Sequence, residues 1–179
     1  CSEGSFELSS ATAANYVSVA WGTSGDGTFN DSSLLNPDYT PGITDISSGT
    51  VTLTLTATGN LPCGSVTDEI VLTINPVPSA FAGADTETCS NMPLSLTAAT
   101  ALNYASVSWS TSGDGLFDDN MLLNPVYSPG INDASNGTVT LTLTATGISP
   151  CPDGTSEIVV TVNALATAFA GDDGEIKEY

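Results

Sequence analysis

The sequence contains no histidine and one basic residue, Lys177, against 20 acidic residues. The absence of histidine and arginine excludes Ser-His-Asp, Cys-His and zinc-based catalysis within this chain. Only a pair of carboxylates could perform acid–base chemistry. The acidic residues stand mostly at predicted turns and recur with an internal repeat, which is unusual for an active site. We therefore predict that the chain is not an enzyme.

The charge balance and the lack of a long apolar run also limit the partners. A formal net charge of −19 repels nucleic-acid phosphates and anionic lipid headgroups, while it attracts cations such as Ca²⁺. No apolar run is long enough to span a bilayer. We expect no nucleic-acid binding and no membrane insertion. No signal peptide is visible, and we interpret the chain as an excerpt from a larger exported protein.

An internal repeat is the strongest signal in the sequence. Cys1 matches Cys89, Trp21 matches Trp109, and Cys63 matches Cys151, and the members of each pair are 88 positions apart. The block GTVTLTLTATG occurs in both copies without a gap.

The repeat frame predicts three parts: 1–75, a first repeat lacking its first strand; 76–164, a complete second repeat; and 165–179, the leading strand of a third. PVPSAFAGADTET leads into the second repeat, and LATAFAGDDGE is its counterpart in the third. Lys177 stands where the third repeat should have a cysteine.

Strict alternation predicts β-strands. In VTLTLTAT the apolar residues share one face and the threonines the other, as in a half-buried antiparallel strand. EIVLTIN predicts Ile70, Leu72 and Ile74 on the inward face. Turn residues punctuate these runs and no segment has a helical period, so we predict a β-sandwich. Trp21 and Trp109 are then core residues, with ligand stacking as the alternative.

Three motifs together resemble the polycystic-kidney-disease (PKD) type of immunoglobulin-like domain. They are Trp-x-x-x-Gly-Asp-Gly, Asn-Pro-x-Tyr-x-Pro-Gly and Gly-Thr-Val-Thr-Leu-Thr-Leu-Thr-Ala-Thr-Gly. The paired cysteines and Thr-rich strands are similar to repeats of giant surface proteins of gliding Bacteroidetes, the SprB-like adhesins. The resemblance implies all-β, tandem immunoglobulin-like antiparallel sandwiches in an end-to-end array. The family hairpin has an Asp where this chain has Gly22 or Ser110, so no role of that Asp carries over.

The Asp-Gly loop allows two interpretations. Asp26-Gly27 and Asp114-Gly115 are strong hairpin turn pairs, because glycine adopts positive φ at little cost. Alternatively the loop contributes carboxylate ligands to a Ca²⁺ site. One loop offers too few oxygens, so a site would need the leading strands. The candidate ligands are Asp26, Asp31, Asp85, Asp114, Asp118, Asp119, Asp172 and Asp173.

The four cysteines are expected to form disulfides in an exported protein. Cys1–Cys63 with Cys89–Cys151 is the simple pairing. In an immunoglobulin-like sandwich, however, those turns lie at opposite ends, too far apart for a disulfide. Stacked repeats would instead pair Cys1 with Cys151 and leave Cys63 and Cys89 for further neighbours. Both pairings stay open.

We expect the chain to be a structural and adhesive segment of a long, secreted, extracellular cell-surface protein or filament. Its partners would be neighbouring repeats of the same chain, and surface glycans or like filaments. The alternative is a glycan- or surface-binding module, for which Tyr16 and Tyr104 beside a turn are the candidate contacts. Strand exchange between chains is a further alternative.

Overall fold

The computed structural model describes residues 1–171, and its secondary structure is almost entirely β. The first repeat contains six strands and one short helix. In chain order these are β1 (Phe6–Glu7), β2 (Tyr16–Thr23), β3 (Thr28–Phe29), β4 (Asp38–Thr40), α1 (Ile43–Ser48), β5 (Thr50–Gly59) and β6 (Ser65–Thr73).

The second repeat has the same elements preceded by two leading strands, and one more short strand. They are β7 (Ser79–Phe81), β8 (Thr86–Cys89), β9 (Leu94–Ser95), β10 (Thr100–Leu102), β11 (Tyr104–Thr111), β12 (Leu116–Phe117), β13 (Val126–Ser128), α2 (Ile131–Asn136), β14 (Thr138–Gly147) and β15 (Gly154–Asn163).

Each repeat pairs its strands into two main sheets. In the first repeat the orders are β1-β4-β3 and β2-β5-β6, and all pairs are antiparallel. In the second they are β12-β13-β9 and β11-β14-β15-β8, where β8 is parallel to β15, and β10 pairs with β7. The predicted all-β class of tandem immunoglobulin-like sandwiches is confirmed.

The core of the first repeat consists of the inward faces of both sheets. Val51, Leu53 and Leu55 on β5 are buried against Trp21 on β2 and Tyr39 on β4. The alternating threonines of β5 are half-buried or exposed. Alternation therefore predicts the buried face of this strand correctly, because successive side chains point to opposite faces of a sheet.

The predicted inward face of β6 and of Ile74, which follows it, is only partly buried. Ile74 is buried and Leu72 packs half-buried against the core, as predicted, but Ile70 is exposed. The counterparts of Ile70 and Leu72 in the second repeat, Ile158 and Val160, are both buried. The difference arises because β8 and the segment before it cover β15, whereas no described residues cover the equivalent side of β6.

The structure also contains two short helices that the sequence analysis did not predict. Helices α1 and α2 each have six residues. A helix of fewer than two turns cannot show a 3.6-residue apolar period, so sequence periodicity cannot detect it. Both end at a glycine in the left-handed conformation, Gly49 and Gly137.

The chain divides into two compact units that do not coincide with the repeats. The first contains residues 1–80, 101–107 and 144–154, and the second contains the remainder. The boundaries 1–75, 76–164 and 165–179 stay a prediction. Within residues 1–171, no helix has the length and apolar character needed to cross a membrane.

Candidate functional site

The Asp-Gly loop of the first repeat caps helix α1. The Asp26 carboxylate accepts hydrogen bonds from the backbone N–H groups of Thr44, at 3.0 and 3.1 Å, and Asp45, at 3.2 Å. These are the second and third helical positions, whose N–H groups have no partner within a helix. Asp26 therefore caps the N-terminus of α1 from a distant loop, a role that the side chain of the N-cap residue usually fills.

A second carboxylate, Asp45, holds the loop in return. It accepts hydrogen bonds from the N–H of Gly27, at 3.0 Å, and of Asp26, at 3.3 Å. It also accepts one from the N–H of Gly42, the helix N-cap, at 3.0 Å. Asp45 is only 2% exposed, and a buried carboxylate is tolerated only when such donors replace its water.

The glycines of the loop leave room for these two carboxylates. A Cβ on Gly25 would collide with the Asp45 carboxylate, and a Cβ on Gly42 would collide with the carboxylate of Asp26. Since Asp26 occupies the place of an N-cap side chain, Gly42 must be small. The motif Gly-Asp-Gly therefore serves the close approach of loop and helix as well as a turn.

Tyr39 joins this pair of aspartates to the core. Its hydroxyl donates a 2.6 Å hydrogen bond to Asp45 and lies 2.9 Å from the hydroxyl of Thr23. Since its one proton is donated to Asp45, the tyrosine accepts from Thr23. Its ring lies 4.9 Å from that of Phe29, which in turn lies 6.1 Å from Trp21.

The second repeat contains the same arrangement. Asp114 accepts from the N–H groups of Asn132 and Asp133, at 3.0 to 3.2 Å. Asp133, 1% exposed, accepts from the N–H of Asp114 and Gly130 and from the hydroxyl of Tyr127. Repetition of these contacts in both repeats points to a structural role.

Several pKa values are shifted by these contacts. The pKa of Asp26 is lowered, chiefly by the hydrogen bond from the Thr44 N–H. Burial raises the pKa of Tyr127 to about 12, and the hydrogen bond to Asp133 acts in the same direction. Burial alone would raise the pKa of Asp133, but the hydrogen bonds from Tyr127 and the Gly130 N–H outweigh it, and the pKa is lowered.

The other predicted calcium ligands that the structure describes accept hydrogen bonds from the chain itself. Asp31 accepts from the N–H and hydroxyl of Ser33, and Asp119 accepts from the N–H of Met121. Asp118 accepts from the N–H groups of Asp119 and Val126. Asp85 accepts from the N–H of Val159 at 2.8 Å. All four side chains are exposed, and each is matched to backbone donors close by.

The structure does not assemble these residues into one calcium cluster. Within residues 1–171, no group of three or more acidic or cysteine side chains is placed to hold a metal ion. Asp172 and Asp173 lie outside the described residues. The calcium site stays a prediction, and a calorimetric titration of the EDTA-treated chain with calcium chloride tests it.

The structure joins Cys1 to Cys151 in a disulfide, with 5.1 Å between the Cα atoms. Both residues belong to the first compact unit. Cys63 is a free, exposed thiol and Cys89 is a free, half-buried one. Of the two pairings that the sequence allows, the structure therefore contains the one that joins the first cysteine of one repeat to the second cysteine of the next.

Trp21 and Trp109 lie in the sandwich cores. Trp21 is 9% exposed and Trp109 is 2% exposed. Their indole N–H groups donate to the carbonyls of Leu35 and Leu123, both at 3.2 Å. A ring that is buried with its polar atom satisfied offers no face for stacking on a ligand.

Sequence reasoning missed the buried aspartates Asp45 and Asp133. The available signal was the motif Pro-Gly-x-x-Asp followed by a Gly four residues after the Asp, as in PGITDISSG and PGINDASNG. This is a variant of a capping box, with Gly at the N-cap and Asp three residues later, followed by a C-terminal glycine. The missing N-cap side chain hides it, because Asp26 or Asp114 supplies that carboxylate from another part of the chain.

No protein-family model matches the chain, and no curated protein matches it. Solved structures with a similar arrangement include Drosophila N-cadherin EC1-4, with a TM-score of 0.43 and 16% identity over 81% of this chain and 41% of that one. Mouse cadherin-23 EC22-24 gives 0.42 and 12% identity over 82% and 54%. The protocadherin gammaB7 EC3-6 cis-dimer structure gives 0.39 and 21% identity over 81% and 41%.

This chain therefore spans about half the length of those solved chains or less. At such values the likeness supports no inference about function, and the fold assignment depends on the strand order and pairing described above.

Proposed function

We propose that this chain is a structural repeat segment of a long, secreted cell-surface protein or filament, in which it extends an adhesive surface as part of a rod. The observation that carries the proposal is the pair of aspartates duplicated in the two repeats. The loop that could have been a site in each repeat uses its carboxylates to hold a helix of the same repeat. A duplicated repeat whose loop carboxylates bind its own backbone is suited to be a load-bearing structural unit.

Composition and cysteine chemistry support an extracellular location. A disulfide is stable in an oxidising compartment and rare in the cytosol. The net charge of −19 and the exposed threonines keep closely spaced copies apart and soluble. The PKD-type and SprB-like resemblance belongs to this proposal and supports a surface location.

Small-angle X-ray scattering of the monomeric chain tests the rod. A globule of this length has a radius of gyration of about 16 Å, and the proposal expects a clearly larger value. A value near that of the globule would contradict it. Adhesion is tested separately, by coating beads with the chain and measuring their attachment to glass and to cells.

A glycan-binding module is the second candidate, favoured by one observation. Tyr16 and Tyr104 are 39% and 38% exposed, and each follows an asparagine at φ 58°, Asn15 and Asn103. A partly exposed aromatic beside an amide is suited to the apolar face and hydroxyls of a sugar. A glycan array probed with the chain, with the Tyr16→Ala and Tyr104→Ala double variant as control, decides this. Binding that the double variant loses would favour the module over the rod.

A further inference from the structure

The disulfide between Cys1 and Cys151 closes a long covalent loop. The two residues are 150 positions apart in the sequence, while their Cα atoms are 5.1 Å apart. The backbone and the disulfide are therefore two covalent routes between the same two points, and the disulfide is much the shorter. A pull across these two points is carried by the shorter route, because the longer one stays slack.

The loop contains every strand of the described residues except one. Strands β1 to β14 and both helices lie between the bonded cysteines, and β15 follows them. The linker between the repeats, residues 75–78, also lies inside the loop. Pairing of Cys1 with Cys63 and of Cys89 with Cys151 would instead leave this linker in the path of a pull. The pairing that the structure contains removes it from that path.

Hydrogen bonds hold the surroundings of the disulfide in place. The N–H of Ser2 donates to the carbonyl of Asn75 at 2.8 Å, and the Ser2 hydroxyl accepts from the N–H of Val77 at 3.1 Å. The Asn75 side-chain amide donates to the carbonyl of Ser149 at 3.2 Å. Residues beside both cysteines and in the linker are therefore bonded to one another, and all belong to the first compact unit. The fold itself thus places the two cysteines side by side.

Burial protects the disulfide from thiols in solution. Cys151 is 8% exposed. Reduction by thiol–disulfide exchange requires a thiolate to reach one of the two sulfur atoms. The bond is therefore shielded from exchange while the first unit is folded.

We propose that this disulfide, and not the backbone between its two cysteines, carries tension along the chain, so that force cannot lengthen residues 2–150. The inference rests on the rod proposed above and adds what limits its extension. A strand that unfolds inside the loop gives no end-to-end length, because the two ends of the loop stay covalently joined. Released strands also remain close to their partners and can refold when the force falls.

Strand β15 is the first element after the loop that meets the load. It lies between β14 and β8 in its sheet, and β8 is parallel to it from Thr86 to Cys89. A pull along β15 acts across the hydrogen bonds on both of its edges, so many of them must break together. The strand outside the loop is thus held on both sides, while the strands inside carry no tension.

Single-molecule stretching of the full chain by handles on its two termini tests the proposal. An extended backbone spans at most about 3.6 Å per residue, so the 150-residue separation withholds about 540 Å. Cys151→Ser should therefore reach a fully extended length greater than that of the unsubstituted chain by about 540 Å. Cys63→Ser and Cys89→Ser are the matched controls and should each match the unsubstituted chain, because neither thiol belongs to the bond.

Reduction of the unsubstituted chain gives a second measurement that does not depend on the folding of a variant. Dithiothreitol breaks the S–S bond in two exchanges, which leave two cysteine thiols and the cyclic disulfide of the reagent. A chain held under high force should then lengthen by about 540 Å in total as the released repeats unfold. The Cys151→Ser chain should not respond to the reagent.

An unsubstituted chain that reaches the length of Cys151→Ser before reduction would overturn the proposal. A Cys63→Ser chain that is longer than its parent would also overturn it, because the bond would then lie within a repeat. A radius of gyration near that of a globule would contradict the rod and leave these lengths unchanged, so the two failures are distinguishable.

Discussion

Asp26 and Asp45 each hold the backbone of the other: the Asp26 carboxylate accepts from the Asp45 N–H at 3.2 Å, and the Asp45 carboxylate accepts from the Asp26 N–H at 3.3 Å. The two residues are 19 positions apart, and this reciprocal pair joins the hairpin loop to helix α1. Because six helical residues have little stability alone, we infer that the pair is what maintains the helix.

Replacing Asp45 by Asn should destabilise the first repeat by about 2–4 kcal/mol, because an amide leaves part of a buried set of N–H and O–H donors unpaired. The measurement is denaturant unfolding followed by the fluorescence of Trp21, in a Trp109→Phe background that removes the tryptophan signal of the second repeat. Asp31→Asn is the control, since Asp31 is exposed, and its unfolding midpoint should match that of the parent. Equal midpoints for both variants would refute the role assigned to Asp45.

Gly25→Ala should cost about 2 kcal/mol or more, because its new methyl group collides with the Asp45 carboxylate and overpacks the loop. Gly22→Ala is the matched control in the same hairpin, since its Cβ would have no neighbour within 4 Å. That change should stay below about 1 kcal/mol. Equal losses in thermal unfolding would mean that the close approach of loop and carboxylate does not constrain residue 25.

At high pH the second repeat should lose stability through Tyr127. Its folded-state pKa of about 12 exceeds the ordinary value of 10.0, so the contribution is complete below pH 10 and is lost as pH rises from 10 through 12. The expected loss is about 2–3 kcal/mol. Urea unfolding at several alkaline pH values measures it, and the Tyr127→Phe variant should lack this part of the pH dependence. An unchanged slope in that variant would contradict the assignment.

At low pH the aspartates should act in the opposite direction. The folded-state pKa values of Asp26 and Asp133 are lowered below 3.8, so their contribution is present above that pH and is lost as pH falls through the folded values. We expect the thermal unfolding midpoint to decrease as the pH is lowered below 3.8. The decrease should be less steep for Asp133→Asn than for the parent chain. Parallel curves would show that Asp133 does not contribute.

Peptide mapping should recover Cys1 linked to Cys151. The chain has only Lys177 for trypsin, so digestion with a Glu- or Asp-specific protease under non-reducing conditions is required. Cys151→Ser should lower stability by about 2–4 kcal/mol, since the disulfide closes a very long loop. A Cys1–Cys63 peptide would instead show that each repeat is closed on itself.

The sequence predicts the fold well because alternation is a local property. Along β5 the position of each residue determines which face of the sheet its side chain lies on, without reference to other strands. The same rule fails at Ile70, since its burial depends on a leading segment that reaches β15 but that no described residues supply to β6. Periodicity indicates which side of a strand is apolar and not whether that side is covered.

The candidate site was harder to predict because its contacts join distant residues. Nothing near Asp45 in the sequence indicates that Asp26 completes its cap, and helix α1 is too short for a periodic signal. The cysteine pairing stayed open for a related reason: it depends on where each strand ends, to within a few residues.

The exposed edge of β6 carries Asp68 and Glu69, adjacent to one another along the strand. Two such edges brought side by side would set carboxylates against carboxylates, which is a repulsive arrangement. The acidic edge therefore disfavours β6-to-β6 dimers and sheet-like aggregates. We therefore expect crowded copies at a surface to stay free of edge-to-edge aggregation through this strand.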